Sequence, residues 1–167
     1  VRRNTLKRVQ YSFSAKQKEA QFMDMAQGIP VRVQLETWVT QDGNQEHHQF
    51  DEPGQMVRIG DTVYVRYTEP DGDQLPVTVK IKGDAQIGLT RGSSDSDTHM
   101  HLDFIAEKEV EAQYRTPYGI IPVSTVTPRI DVVFTTDPLG GQVYVEYRLK
   151  ANGEHLGDYR MRLLFNA

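Results

Sequence analysis

The 167-residue sequence contains no cysteine and a single tryptophan. Without cysteine there is no disulfide, no thiolate nucleophile and no cysteine-type zinc site, so stability must come from packing alone, in either redox compartment. No apolar run approaches the roughly 18 to 20 residues of a membrane-crossing helix, and no stretch has the basic, apolar and small-residue layout of a secretory signal. A cytoplasmic protein without a membrane partner is expected. The chain also lacks a Gly-x-Ser-x-Gly elbow, a phosphate-cradling glycine loop and a His-Glu-x-x-His pair. Nucleophilic, nucleotide-dependent and zinc-protease chemistry therefore have no support, and no cofactor is implied. An enzyme is a third-ranked reading, because acid and base groups can still assemble from distant strands.

The clearest positive signal lies near the end of the chain. Residues 142–150 and 155–165 alternate in polarity around Asn152-Gly153, the strongest short hairpin signal, because both centres of a type I′ turn need positive φ. If Ala151 pairs with Glu154, strict pairing sets Val145 opposite Arg160 and turns a charge inward. One extra residue at Gly157 repairs this, matching Tyr147 with Tyr159, Val145 with Met161, Val143 with Leu163 and Glu146 with Arg160. A bulge is predicted there.

The same alternation runs back to Ile29. Strands are predicted at 31–39, 46–50, 56–59, 62–67, 77–81, 86–91, 98–104, 110–115, 120–127 and 129–135, with turns rich in Gly, Pro, Asn and Asp. Residues 51–54, Asp-Glu-Pro-Gly, read as a break. With the two of the hairpin these twelve segments, the shortest of them too brief to count alone, amount to eight to ten barrel strands, and without intervening helices they exclude parallel pairing, which needs crossovers. The chain therefore reads as all-β, a single antiparallel meandering barrel in one domain over residues 29–167.

Ahead of it, residues 1–28 form a basic extension. Ser14 with Gln17 reads as a capping box, followed by a helical stripe that Gly28 and Pro30 end, so one N-terminal helix is predicted. A second reading comes from codons: Lys18-Glu19-Ala20 can be encoded as a ribosome-binding site ahead of Met23 or Met25, making residues 1–22 an upstream extension of the natural product. The extension holds six Lys/Arg against two acids, a net of +4; with −4 for the whole chain, residues 29–167 carry −8. An acidic body repels phosphate backbones, so no nucleic-acid partner is expected.

Tyr114-Arg115-Thr116-Pro117-Tyr118-Gly119, the earlier Arg91-Gly92, and the tail with Tyr147, Arg148, Asn152-Gly153, Gly157 and Tyr159 together resemble the YwiB-like proteins of Gram-positive bacteria. The resemblance covers about residues 29–167. It implies a calycin-type, lipocalin-like barrel in the cytoplasm, in a domain family of unknown function, and brings no catalytic residues to carry over.

The residues themselves nominate Arg91, Tyr114, Arg115, Thr116, Tyr118, Arg148 and Arg160 for ligand contact. If basic side chains faced the lumen they would hold an acidic head group, with Tyr64, Tyr144 and Phe165 lining the rest; the simpler reading sets them in water, paired with Glu36, Glu146 and other acids. His99 and His101 share a strand face at roughly 7 Å, a spacing that chelates one metal only with a third ligand from a neighbouring strand. Two histidines on a solvent face are commoner, so no metal is assigned. The leading expectation is a binding module whose open end or lumen accepts a small, partly apolar ligand, with or without an anionic group. The alternative is a protein-interaction barrel in which Trp38, Tyr118 and an uncovered strand edge dock a partner, a homodimer included.

Overall fold

Strict inside–outside alternation and tight turns give each segment one buried face, and ten such segments close on themselves. In a computed structural model that describes residues 28–167 except residue 94, the strands are β1 (Ile29–Gln41), β2 (Asn44–Ile59), β3 (Thr62–Thr68), β4 (Pro76–Lys82), β5 (Gln86–Arg91), β6 (His99–Ile105), β7 (Glu109–Thr116), β8 (Gly119–Thr136), β9 (Leu139–Ala151) and β10 (Glu154–Asn166). Every strand pairs with its sequence neighbours, and β1 pairs antiparallel with β10 to close the barrel. The N-terminal helix predicted over 14–28 lies outside the described residues.

The inward positions are nearly all apolar. Val33, Val65, Val79, Ile81, Ile87, Phe104, Val143, Val145, Leu163 and Phe165 are fully buried and fill the described interior. The β9–β10 hairpin has the predicted register: Asn152 and Gly153 take φ of 52° and 77°, and the pairs Tyr147–Tyr159, Val145–Met161, Val143–Leu163 and Glu146–Arg160 all form. The register shift falls between His155 and Gly157, so Leu156 is the extra residue.

Two predicted breaks are corrected. Residues 51–54 do not interrupt β2, because Pro53 stands where β2 is paired only with β1, and pairing with β3 begins at Gly54. A missing N–H costs nothing on the side that has no neighbour. Likewise 120–127 and 129–135 are one strand, β8, bent by a register shift between Val126 and Arg129 that absorbs Pro128. The lumen lining is corrected too. Tyr64 and Tyr144 lie on the outer face beside Arg66 and Arg129, and only Phe165 of that trio is inside.

Candidate binding site at the barrel mouth

One continuous row of paired residues, Gly54, Tyr67, Val77, Arg91, Met100 and Tyr114, runs from β2 to β7 around the end of the barrel where the β1–β2 and β9–β10 turns lie. A Cβ at Gly54 would sit 2.6 Å from the Arg66 carbonyl and 2.7 Å from Val33, so only glycine lets the wall close this tightly. Beyond the row β3 continues for one residue, whereas β2 continues through residues 44–53. The mouth is therefore low along β3–β6 and backed by a tall wall of β2, β1, β10 and β9.

Among the described residues Arg91 is the one cation of this row. Its Nε and Nη2 donate to Glu69 Oε2 and Oε1 at 3.0 and 2.8 Å, a bidentate fork between partly buried groups. Burial disfavours its charge, but the hydrogen bonds and charge of Glu69, aided by Tyr114 and Tyr67, outweigh that and hold the guanidinium protonated. The fork occupies the Nε side and leaves Nη1 without a partner among the described residues.

Tyrosines surround it. Tyr67 packs against Phe50 at 5.3 Å, and Tyr147 lies between Phe104 at 4.4 Å and a parallel Tyr159 at 4.8 Å. Burial pushes the Tyr67 hydroxyl well above its ordinary range, with Glu69 adding to the shift, and burial followed by Tyr159 does the same for Tyr147. Tyr159 is raised by burial and by Glu46 on the tall wall. Neither Tyr67 nor Tyr147 makes a side-chain hydrogen bond to a described residue. Among the described residues the only fully sealed, unpartnered side-chain polar atom is Thr127 Oγ1. Both tyrosines are buried, and their hydroxyls lie near enough to Arg91 for its charge to act on both.

Of the seven residues nominated from sequence, Arg91 and Tyr114 meet here and five lie elsewhere. Arg115 donates to the carbonyls of Ser93 and Ser96 at 3.2 and 2.9 Å, tying down the β5–β6 connection. Thr116 Oγ1 donates to the Gly119 carbonyl and accepts from the Tyr118 N–H, bracing the β7–β8 turn, and Tyr118 is 99% exposed at its tip. Arg148 and Arg160 line an outer crevice of about 240 Å³ with Trp38 and Pro128, where Asp158 faces Arg148 at 3.5 Å and Arg160 lies 5.0 Å over the Trp38 ring. A larger open crevice, about 500 Å³, lies between β7, β8 and the β9–β10 turn, with Ala112, Val123 and Lys150 in its lining. The cations of the two crevices are engaged, Lys150 with Glu109, Arg148 with Asp158 and Arg160 with the Trp38 ring, whereas the mouth gathers buried tyrosines about Arg91.

His99 and His101 gather no third ligand among the described residues. His101 Nδ1 meets Thr90 Oγ1 at 2.7 Å and its Nε2 meets Asp103 at 3.0 Å, and no group of three or more ligating side chains gathers among the described residues. Sequence reasoning missed Tyr67, Glu69, Tyr147 and Tyr159. The usable signal was parity: Tyr67 follows Val63 and Val65 on one face, and Tyr147 follows Val143 and Val145.

Fold and site together define a class: closed antiparallel meander barrels with a filled interior and a tyrosine-lined open end. The chain belongs to the family described as Domain of unknown function (DUF1934), whose model matches residues 33–163. A crystal structure of the ywiB protein from Bacillus subtilis shares the fold with a TM-score of 0.73 at 20% identity, over 88% of this chain and 97% of that one. Comparison with curated proteins finds no match. Among the described residues no helix is long and apolar enough to cross a membrane.

Proposed function

We propose that this protein is a binding module that takes a small, partly apolar molecule at the mouth of its barrel, with a polar or anionic group set against the free side of Arg91. The supporting observation is the pair of buried tyrosines, Tyr67 and Tyr147, gathered near Arg91 with no hydrogen-bond partner for their hydroxyls among the described residues. Buried polar groups are ordinarily satisfied, so donors left unpaired beside a cation are suited to a guest. The packed interior argues against a guest in the lumen, and the tall wall gives it a surface to lie on. The aromatic anion 8-anilinonaphthalene-1-sulfonate serves as probe. Saturable binding at one site is expected, weakened about fivefold or more by Tyr114→Ala, a loss of about 1 kcal/mol, and unchanged by Tyr118→Ala. Unsaturable binding, or equal affinity in both variants, would overturn the reading.

A second reading, docking of another protein, is favoured by the β7–β8 tip, where Tyr118 and Ile120 are 99% and 60% exposed on a braced turn.

A further inference from the structure

We infer that a second copy of this chain pairs with the open edge of β2, giving a two-fold antiparallel dimer centred on His47. The inference is independent of the mouth site. β2 is paired with β1 from Asn44 to Met56 but with β3 only from Gly54 onward. Residues 44–53 therefore present one edge with no strand neighbour among the described residues. An open edge is a template for pairing unless something blunts it.

The direction of its hydrogen-bonding groups follows from Pro53. Pro53 stands opposite Arg32 and has no N–H, which suits a position that does not bond to β1. Antiparallel pairs alternate between bonded and unbonded, so the main-chain groups of residues 45, 47, 49 and 51 point to the open edge. Side chains do not obstruct it: His47 is held on the outer face by stacking on Trp38, with ring centroids 5.0 Å apart.

Identical antiparallel strands related by a two-fold axis must set one residue opposite itself. With His47 at the centre, His47 bonds its own copy and Gln45 bonds Gln49 on each side, about six main-chain bonds in all. Glu46 then lies opposite the second copy's His48, twice over, and these two side chains already meet at 3.0 Å within one chain. Neighbouring centres lose this match. Centring on Glu46 opposes two glutamates, centring on Gln49 sets Glu46 against Glu52, and centring on Phe50 runs the copy onto Pro53 and β3. Like charges directly across a strand pair destabilise it, whereas a carboxylate opposite an imidazole gains a hydrogen-bond partner, so the doubled Glu46–His48 match favours the His47 register.

The absence of native cysteine makes the test clean. Opposed residues of a bonded pair have Cα atoms roughly 5.5 Å apart, within disulfide range. Full-length His47→Cys is expected to form a covalent dimer on mild oxidation, at least fivefold more than Gln45→Cys, whose thiols would lie more than ~13 Å apart. Gln49→Pro, which removes an outward N–H and leaves the β1 ladder alone, should turn a dimer seen by light scattering into a monomer with an unchanged circular-dichroism spectrum. A wild-type chain that stays monomeric up to its solubility limit, a folded Gln49→Pro dimer, or equal cross-linking of the two cysteine variants would each overturn the inference.

Discussion

Thr125 and Thr127 sit two residues apart inside the wall and should respond oppositely to the same substitution. Thr125 Oγ1 donates to the Asp103 carbonyl at 2.8 Å, joining β8 to β6, whereas Thr127 Oγ1 is sealed without a partner. Thr127→Val is expected to stabilise by about 1 kcal/mol, because it removes a desolvated hydroxyl, and Thr125→Val to cost about 1–2 kcal/mol, because it strands a buried carbonyl. Urea midpoints of the two variants check both signs. Tyr67 and Tyr147 make a pH prediction. Burial raises both above the value near 10 of an unfolded tyrosine, so below that pH neither state gains or loses protons relative to the other. As pH rises beyond about 10 the unfolded chain loses these protons first, and stability falls by up to about 1.4 kcal/mol per unit for each group. Tyr67→Phe should flatten that decline in denaturation curves taken between pH 8 and 11. At this scale the site was only half legible. Arg91 and Tyr114 stand out as a charge and an aromatic near turns, but a tyrosine in line with valines reads as core, and only the closed barrel reveals that it lies near Arg91.

Among the elements, the β9–β10 hairpin was fully readable because a buried charge penalises every register but one. That penalty also gives its prediction. Deleting Leu156 removes only the extra residue: Gly157 then follows His155 directly and still faces Leu149, so Arg160 stays opposite Glu146 and Tyr159 and Met161 stay inward. Cooperative unfolding and soluble expression are expected to survive the deletion, while Gly157→Val, whose Cβ would lie 3.1 Å from the Thr40 carbonyl and from the Tyr159 ring, should fold at a cost of about 1–3 kcal/mol. β2 and β8 were less readable, for a shared reason. A proline signals a break only if the sequence shows which side of the strand needs its N–H. Pro53 and Pro128 lie where that side is open or bulged, so the strands run through them. The same local exemption that hides the length of β2 exposes its edge.

For the whole molecule, every neighbour in the barrel is a neighbour in sequence except the closing pair, β1 with β10. That pair brings Arg32 opposite Asn166, so Ile29 and the carboxyl end of β10 lie at the same end of the barrel, three residues apart along the sheet. Such a ring of hairpins has no privileged starting point: joining β10 to β1 by a short loop makes another hairpin, and opening an exposed turn elsewhere restores one non-local pair. The turn to open is Gly72, at positive φ with open space around it in the connection between β3 and β4, whose breakage leaves all ten ladders in place. A permutant that begins at residue 73, joins Ala167 to Ile29 through about five flexible residues and ends at 72 should keep its strand-rich circular-dichroism spectrum. Its unfolding free energy should stay within about 1 kcal/mol of a chain trimmed to residues 29–167, since lengthening or moving a loop changes closure entropy only slowly. A permutant that is soluble but unfolded would mean that β1 and β10 do not meet in this register, and that closure depends on something other than the ring of paired strands.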